Sequence, residues 1–184
     1  MRFSPRDITR ISLFAAMHVA AAVVLRYGGE AVVPFSLVPF MAFLAAFVLG
    51  PRQGATSLLI YCLMGVMGLP VFARPPFGGP AYVLQPTFGF LLGFIAAAFV
   101  AGSISIDSVK GRVMAVLLGT LALYVVGSAY FFAIFRLYLG RPVSFTWVLH
   151  VAVAPFLFLD LLKAYLAATL AVRLRRNIER TGFR

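Results

Sequence analysis

The sequence predicts an all-α integral membrane protein, with six transmembrane helices in a single domain over residues 1–184. Of the 184 residues 62% are hydrophobic and only 11% are charged, and the mean hydropathy is +1.01. Soluble domains are nearer 45–50% apolar and could not bury this much apolar surface. Apolar segments of about 20 residues recur along the chain, which is the length of a helix that crosses a bilayer. The segments are expected to be helices, because open strands cannot cross hydrocarbon.

The predicted spans are residues 9–25, 33–49, 53–69, 87–104, 113–137 and 146–172. The N-terminal stretch has the charged start and short apolar run of a signal peptide. We interpret it as a retained first helix, because a glycine turn and further spans follow it. The second span contains Pro34 and Pro39, which predict an irregular or kinked beginning. A tight turn at 50–52 leads to the third span, and the polar loop 105–112 closes the fourth.

The third and fourth spans are joined by GLPVFARPPFGGPAYVLQPT, residues 68–87, hereafter the 68–87 connection. Prolines restrict the chain, whereas glycines let backbone amides approach a ligand closely. An apolar connection of this kind at a membrane surface favours a lid that closes over a buried ligand. An ordinary interfacial turn is the alternative.

The distribution of basic residues predicts the orientation. An even number of spans places both termini on one side of the membrane. That side would carry Arg2, Arg6, Arg10, Arg52, Lys110, Arg112, Arg173, Arg175, Arg176, Arg180 and Arg184, against Arg26, Arg74, Arg136 and Arg141 on the other. Basic loops stay in the cytoplasm, so both termini are predicted to be cytoplasmic and the 68–87 connection to face outward. The net charge of +11 is therefore explained by topology, without a nucleic-acid partner.

Five aromatic residues are expected to act as interface anchors: Tyr82, Tyr124, Tyr130, Tyr138 and Trp147.

Two ionisable residues lie within the last apolar segment. Asp160 and Lys163 are three residues apart, which places them on one face of a helix. A lone charge at the centre of a membrane helix costs about 2.5–3.5 kcal/mol, so such groups pair or line a cavity. The pair is interpreted as the lining of a polar ligand cavity, where Asp160 accepts N–H groups and Lys163 donates to a carbonyl or carboxylate. The alternative is an internal ion pair that only holds helices together.

The sequence lacks the motifs that mark several classes of enzyme and nucleotide-binding protein. There is no phosphate-binding G-x-x-x-x-G-K-[ST] motif, no H-E-x-x-H and no G-x-S-x-G. Cys62 is the only cysteine, and His18 and His150 lie within apolar spans, where packing is the expected role. No catalytic residue, metal site or cofactor is predicted.

In the first span, Ala16 and Ala20 form a small-xxx-small pair, which suits close packing against another membrane helix, within this protein or outside it.

The chain resembles the BioY family, the biotin-binding S components of energy-coupling factor vitamin transporters. The segments that carry the resemblance are LGPRQGATSLLIYCLMGVMGLPVFA (49–73), GG (78–79), QPTFGFLLGF (85–94) and PFLFLDLLKAYLAATLA (155–171). The resemblance implies a six-helix protein of a bacterial or archaeal cell membrane that captures biotin from outside. It further implies two kinds of partner, a transmembrane coupling protein that would contact Ala16 and Ala20, and a pair of ATPases.

The resemblance also implies a set of ligand-binding residues. The ureido group of biotin offers N–H donors and a carbonyl acceptor, which match Asp160 and Lys163. Phe72, Tyr82 and Phe90 would supply apolar walls for the thiophane ring and the valeryl chain. Gly78, Gly79, Gln85 and Thr87 complete the set. Lys163 could instead meet the carboxylate of the ligand, and Arg74 is another candidate for that role.

The chain departs from the family's pattern at four places. Phe88 replaces a glycine and Phe90 a tyrosine in a P-T-G-G-Y segment; Val38 replaces a glutamine; Phe158 and Leu159 replace a Pro-Gly pair. These changes are expected to reshape the pocket. A related S component for another small heterocycle or carboxylate is therefore an alternative, as is a membrane protein without transport activity whose Asp160–Lys163 pair is structural.

Overall fold

A computed structural model describes residues 3–32 and 36–180. Throughout this part of the chain the regular structure is helical. The helices are α1 (Pro5–Val32), α2 (Val38–Leu49), α3 (Pro51–Val66), α4 (Phe88–Gly102), α5 (Val109–Ala133), α6 (Phe145–Ala152) and α7 (Ala154–Arg180). A short 3-10 helix, Pro80–Leu84, lies within the 68–87 connection, and a π-helical turn, Ile134–Tyr138, extends α5. The all-α prediction is thus confirmed.

Three helical segments in the described ranges are long and apolar enough to cross a membrane: Pro5–Tyr27, Val109–Tyr138 and Ala154–Arg176. Two further apolar helices, Val38–Leu49 and Phe88–Gly102, are shorter. The first helix continues to Val32, several residues beyond the predicted end of the first span at residue 25. Pro34 lies outside the described residues. Pro39 occupies the first turn of α2, where its missing N–H has no helical partner to lose, so this proline is compatible with the start of the helix.

The last apolar segment is two helices rather than one. We predicted a single helix over 146–172, but α6 ends at Ala152 and α7 begins at Ala154. Pro155 explains the interruption, because it has no N–H to donate to the carbonyl four residues earlier and its ring crowds that carbonyl. The amide of Val153 still bonds to the Leu149 carbonyl at 3.2 Å, and the amide of Leu157 bonds to the Val153 carbonyl at 3.0 Å.

Helix α2 lies at the centre of the molecule and packs against α1, α3, α4 and α7. It is apolar around its whole circumference, as expected for a helix surrounded by others. Small residues allow this close packing: Ala42, Ala45 and Ala46 of α2 are buried. So are four alanines of α7, namely Ala164, Ala167, Ala168 and Ala171. This interface fixes the position of α7, and therefore of the ionisable residues that α7 carries.

Helices α4 and α5 form the other extensive interface. Gly93 of α4 lies so close to α5 that an added Cβ would stand 2.5 Å from the Leu123 carbonyl oxygen. At its N-terminus α5 is capped by Ser108, whose Oγ accepts the amide of Gly111 at 3.0 Å. The α4–α5 pair holds Phe90 and Tyr124 together, next to α7.

Candidate ligand-binding site

Asp160 is the centre of the candidate site. Its Oδ1 accepts Nζ of Lys163 at 2.9 Å, and its Oδ2 accepts the hydroxyl of Tyr124 at 2.7 Å. The two carboxylate oxygens are therefore each engaged by a donor, one from the next turn of α7 and one from α5. Charge-assisted hydrogen bonds of this kind are about twice as strong as neutral ones. The arrangement provides a fixed, charged acceptor inside an apolar protein.

The ion pair is largely shielded from the surroundings. The side chains of Lys163 and Asp160 are 16% and 11% exposed. Each carboxylate oxygen has a second lone pair, and an ammonium group has three N–H donors, one of which is directed to Asp160. The carboxylate can therefore accept N–H groups of a ligand while the ion pair remains intact. Both interpretations of the pair, ligand-binding and structural, are compatible with this geometry.

Phe90 contributes an aromatic wall beside Tyr124, the tyrosine that is bonded to the carboxylate. Its ring centroid lies 6.1 Å from that of Tyr124, with an edge-to-face interplanar angle of 76°. It also stands 6.3 Å from Phe131. Phe90 sits against α5 at Gly127, where an added Cβ would come within 2.3 Å of the Phe90 ring. Phe90, Tyr124, Asp160 and Lys163 thus form one continuous cluster across α4, α5 and α7.

The other predicted aromatic residues form a second cluster in the 68–87 connection. Phe72 is fully buried, and its ring centroid is 4.2 Å from that of Tyr82. Phe88, at the beginning of α4, meets both rings, at 6.4 Å from Phe72 and 6.3 Å from Tyr82. Burial raises the pKa of the Tyr82 hydroxyl, against the opposing effect of Arg74 and Arg26. Tyr82 is therefore a neutral hydrogen-bonding group at physiological pH.

The two glycines of the predicted site allow the connection to fold tightly against α3. The Gly79 amide donates to the Gly65 carbonyl at 2.7 Å, and Gly79 has φ 102°, a conformation that favours glycine. At Gly78 an added Cβ would stand 2.2 Å from the Leu69 carbonyl oxygen. Gln85 and Thr87 have exposed side chains at the end of the connection, just before α4. The connection is thus a packed structure with a buried aromatic side rather than an open turn.

A groove of about 430 Å³ runs between α5, α6 and α7 next to the cluster. The ring of Tyr124 lines it, while the hydroxyl of that tyrosine is bonded to Asp160. Thr120 and Ser128, one turn before and after Tyr124 on the same face of α5, also line the groove. Within the described ranges their buried hydroxyl oxygens have no hydrogen-bond partner. Apolar residues form the rest of the lining: Leu117, Leu121, Val125, Phe145, Leu149, Val153, Leu157 and Leu161.

Ala16 and Ala20 lie away from these clusters, on the exposed face of α1. Leu13, one turn before Ala16, is 59% exposed, and Val24, one turn after Ala20, is 47% exposed. By contrast, Ala15, Ala21 and Ala22 are buried. The small-xxx-small pair is therefore on the outer surface of the molecule, and is not used for packing within it.

Sequence reasoning missed Tyr124 as a site residue, because we expected it to be an interface anchor. It is buried and bonded to the carboxylate. A tyrosine in the middle of the apolar run LALYVVG, far from either end of a long helix, was the available signal that its hydroxyl needed an internal partner. Phe158 also differs from expectation: it is 75% exposed, so it does not reshape the interior.

Among the described residues no three His, Cys, Asp or Glu side chains are grouped as a metal site would require.

Comparisons with known proteins place this chain in a family. The model of the BioY family matches residues 1–180. A relative from Pyrococcus horikoshii, described as a probable biotin transporter BioY, is 35% identical over 173 residues, covering 94% of this chain and 98% of the relative. The biotin transporter BioY of Thermotoga maritima is 36% identical over 178 residues, covering 95% and 99% of the two chains.

A solved structure has the same fold. It is a crystal structure of the S-component for biotin from an ECF-type ABC transporter. It superposes with a TM-score of 0.70, covering 95% of each chain at 21% sequence identity.

Proposed function

This chain belongs to the BioY family, and from that membership we propose that it is the biotin-binding S component of an energy-coupling factor transporter. It is a multi-pass protein of the cell membrane and a transport subunit rather than an enzyme. The observation that carries the proposal is the family match over residues 1–180, which includes the helix that carries Asp160 and Lys163. Biotin would be captured from outside the cell and delivered inward.

The polar cluster suits the ureido ring of biotin. In the proposed pose Asp160 accepts ureido N–H groups and Lys163 donates to the ureido carbonyl. Phe90 would line the bicyclic ring from α4, and Phe72 and Tyr82 would cover it from the 68–87 connection. The tight backbone at Gly78 and Gly79 brings main-chain groups towards the ligand, and Gln85 and Thr87 lie where the connection meets α4. In a second pose Lys163, or Arg74, meets the ligand carboxylate instead.

We place six spans in the membrane, the last of them formed by α6 and α7 together. The excess of basic residues on the side that carries both termini supports a cytoplasmic location for the termini. The 68–87 connection then faces outward, where the vitamin arrives. This orientation agrees with a lid that closes over a ligand bound near the outer surface.

We propose that partner subunits supply the energy for transport, since the chain contains no phosphate-binding loop of its own. We propose a transmembrane coupling protein and two ATPases as those partners. The exposed pair Ala16 and Ala20 supports a contact with the coupling protein on α1, because small residues let membrane helices approach closely. No metal or other cofactor and no nucleic acid enters the proposed function.

The ligand is tested directly by purifying the protein in mild detergent and identifying any co-purified small molecule by mass spectrometry. We expect biotin, and saturable binding of radiolabelled biotin after the bound ligand is removed. Phe88 and Phe90 differ from the family's usual residues, so a different small heterocycle is the competing result. A protein that carries another compound, and does not bind biotin, would refute the assignment of biotin while leaving the S-component fold intact.

A further inference from the structure

Arg26, in the C-terminal part of α1, connects this helix to the 68–87 connection. Nη2 of Arg26 donates to the carbonyl of Pro70 at 2.6 Å and also to the carbonyl of Phe72. The planar guanidinium lies over the ring of Phe77, with its central carbon 4.2 Å from the ring centroid. One side chain of α1 therefore contacts three residues in the first half of the connection, 44 or more positions away in the sequence.

These contacts are stronger than ordinary surface contacts. Both hydrogen bonds come from a charged donor, and the guanidinium stacks on an aromatic face, an interaction that strengthens when it is shielded from water. Nη2 carries two N–H groups, so it can serve two carbonyls at once. Arg26 is partly buried. It therefore holds Pro70 and Phe72 at fixed positions relative to α1.

The residue that Arg26 holds is the buried aromatic of the connection. The Phe72 amide donates to the Phe77 carbonyl at 2.8 Å, which closes a small loop under the guanidinium. The Phe72 ring in turn packs on Tyr82 and on Tyr61 of α3. Displacement of the Phe72 backbone would therefore move the aromatic cluster that covers the interior.

We propose that Arg26 is a positioning residue that latches the first half of the 68–87 connection, and that breaking this latch speeds the escape of bound ligand. This inference rests on the proposed function, since the connection is taken as the lid over the biotin site. Arg26 does not touch the ligand in this scheme. It acts through the backbone of Pro70 and Phe72, so it controls how long the 68–87 connection stays closed over a bound ligand.

The first experiment measures biotin dissociation and association rates for Arg26→Ala in detergent or nanodiscs. We expect the dissociation rate to rise about tenfold, from the loss of two charge-assisted hydrogen bonds, with less than a threefold change in the association rate. Arg26→Lys retains a charged donor but lacks the planar guanidinium, so it should restore the wild-type rate only in part. A dissociation rate within twofold of wild type for Arg26→Ala overturns the latch.

Two further variants test whether the effect is specific to the contacts of Arg26 or reflects a general loss of structure. Arg141→Ala removes an exposed arginine near the beginning of α6 and should leave both rates unchanged. Phe77→Leu removes the aromatic face beneath the guanidinium while keeping the arginine, and should raise the dissociation rate by a smaller factor than Arg26→Ala. If Arg26→Ala cannot be purified, Phe77→Leu decides the question: an unchanged rate counts against the latch.

A second experiment needs no ligand, so that failure of the biotin assignment and failure of the latch are distinguishable. In a Cys62→Ala background, Val71→Cys introduces a thiol at a buried position of the connection, and Ala81→Cys introduces one at an exposed position. We expect Arg26→Ala to raise the modification rate by a hydrophilic maleimide severalfold for Val71→Cys and not for Ala81→Cys. Equal rates at Val71→Cys with and without Arg26 overturn the inference, whether or not the protein binds biotin.

Discussion

The hydroxyl of Tyr124 donates to Oδ2 of Asp160 at 2.7 Å and so joins α5 to α7. Among the described residues, Asp160 is the only aspartate in the middle of an apolar helix. Lys163 holds the other oxygen of the same carboxylate. An uncompensated carboxylate would be unfavourable at this depth, so the tyrosine and the lysine together make the charge tolerable. In the function proposed above, two of these three groups, Asp160 and Lys163, contact the ligand.

Replacing the carboxylate with an amide should abolish tight ligand binding. Asp160→Asn removes the charged acceptor, and we expect biotin affinity to fall by roughly 10- to 100-fold, the effect of losing charge-assisted hydrogen bonds. Equilibrium binding of radiolabelled biotin provides the measurement. Asp107→Asn, in the exposed loop before α5, is the matched control and should bind normally. Wild-type affinity for Asp160→Asn would show that the ligand binds elsewhere.

Removing the tyrosine hydroxyl should have a smaller effect in the same direction. Tyr124→Phe keeps the ring against Phe90 but leaves Oδ2 of Asp160 without its donor. We expect a decrease of about three- to tenfold in biotin affinity and a lower melting temperature in detergent. Tyr138→Phe, at an exposed tyrosine, serves as the control. An unchanged affinity would assign the hydroxyl to stability alone.

A double replacement separates the two interpretations of the ion pair. Asp160→Leu alone or Lys163→Met alone leaves a buried charge without its partner and should lower the melting temperature clearly. Both changes together remove the two charges, so we expect the melting temperature to recover while biotin binding stays lost. Thermal unfolding with and without biotin measures both quantities. If the double variant still gained stability from biotin, the pair would be structural only.

Phe88 and Phe158, two of the three phenylalanines that depart from the family's pattern, should behave differently. Phe88→Ala removes a ring packed against Phe72 and Tyr82, and we expect a loss of about 3–5 kcal/mol of folding free energy. Phe158→Ala truncates a side chain that is 75% exposed and should change stability by less than about 0.5 kcal/mol. Denaturation in detergent compares them. Equal losses would contradict the different surroundings of the two rings.

The exposed alanines of α1 should matter for assembly and not for ligand binding. Ala16→Trp places a large ring on the outer face of α1, where it would prevent close approach of another helix. We expect co-purification with the coupling protein and the ATPases to be lost, with biotin affinity unchanged. Leu121→Trp enlarges another exposed position, on α5, and should assemble normally. Normal assembly of Ala16→Trp would place the coupling contact on another surface.

The helical architecture was predictable because membrane helices are defined by long apolar runs, which the sequence displays directly. Asp160 and Lys163 were predictable as a pair for a similar reason, since charges in such a run are rare and their spacing of three residues places them on one face. The division between α6 and α7 was harder to anticipate, because the apolar run continues through Pro155 without a polar residue. A proline in a membrane helix can equally well produce a kink.

The partners of buried side chains could not be predicted in the same way. Tyr124 and Asp160 are 36 residues apart, and their contact depends on how α5 and α7 pack, which local pattern does not encode. The contacts of Arg26 are further apart still. An arginine at the end of an apolar span is normally explained by the membrane surface, so the sequence offered no reason to link it to Pro70 or Phe72.

The side chains that fasten the 68–87 connection all donate to main-chain oxygens. Tyr61 reaches the Val71 carbonyl at 3.5 Å, and Tyr130 reaches that of Val83, in the same manner as Arg26 reaches Pro70 and Phe72. Every residue type supplies such an oxygen, so these hydrogen bonds impose no requirement on the side chains of the connection, whereas the contact of Arg26 with the Phe77 ring requires an aromatic residue there. Evolution can therefore exchange the residues that face a ligand while the attachment points persist. An engineer who wishes to change which vitamin is bound should vary residues of the connection other than Phe77, and leave Arg26, Tyr61 and Tyr130 unchanged.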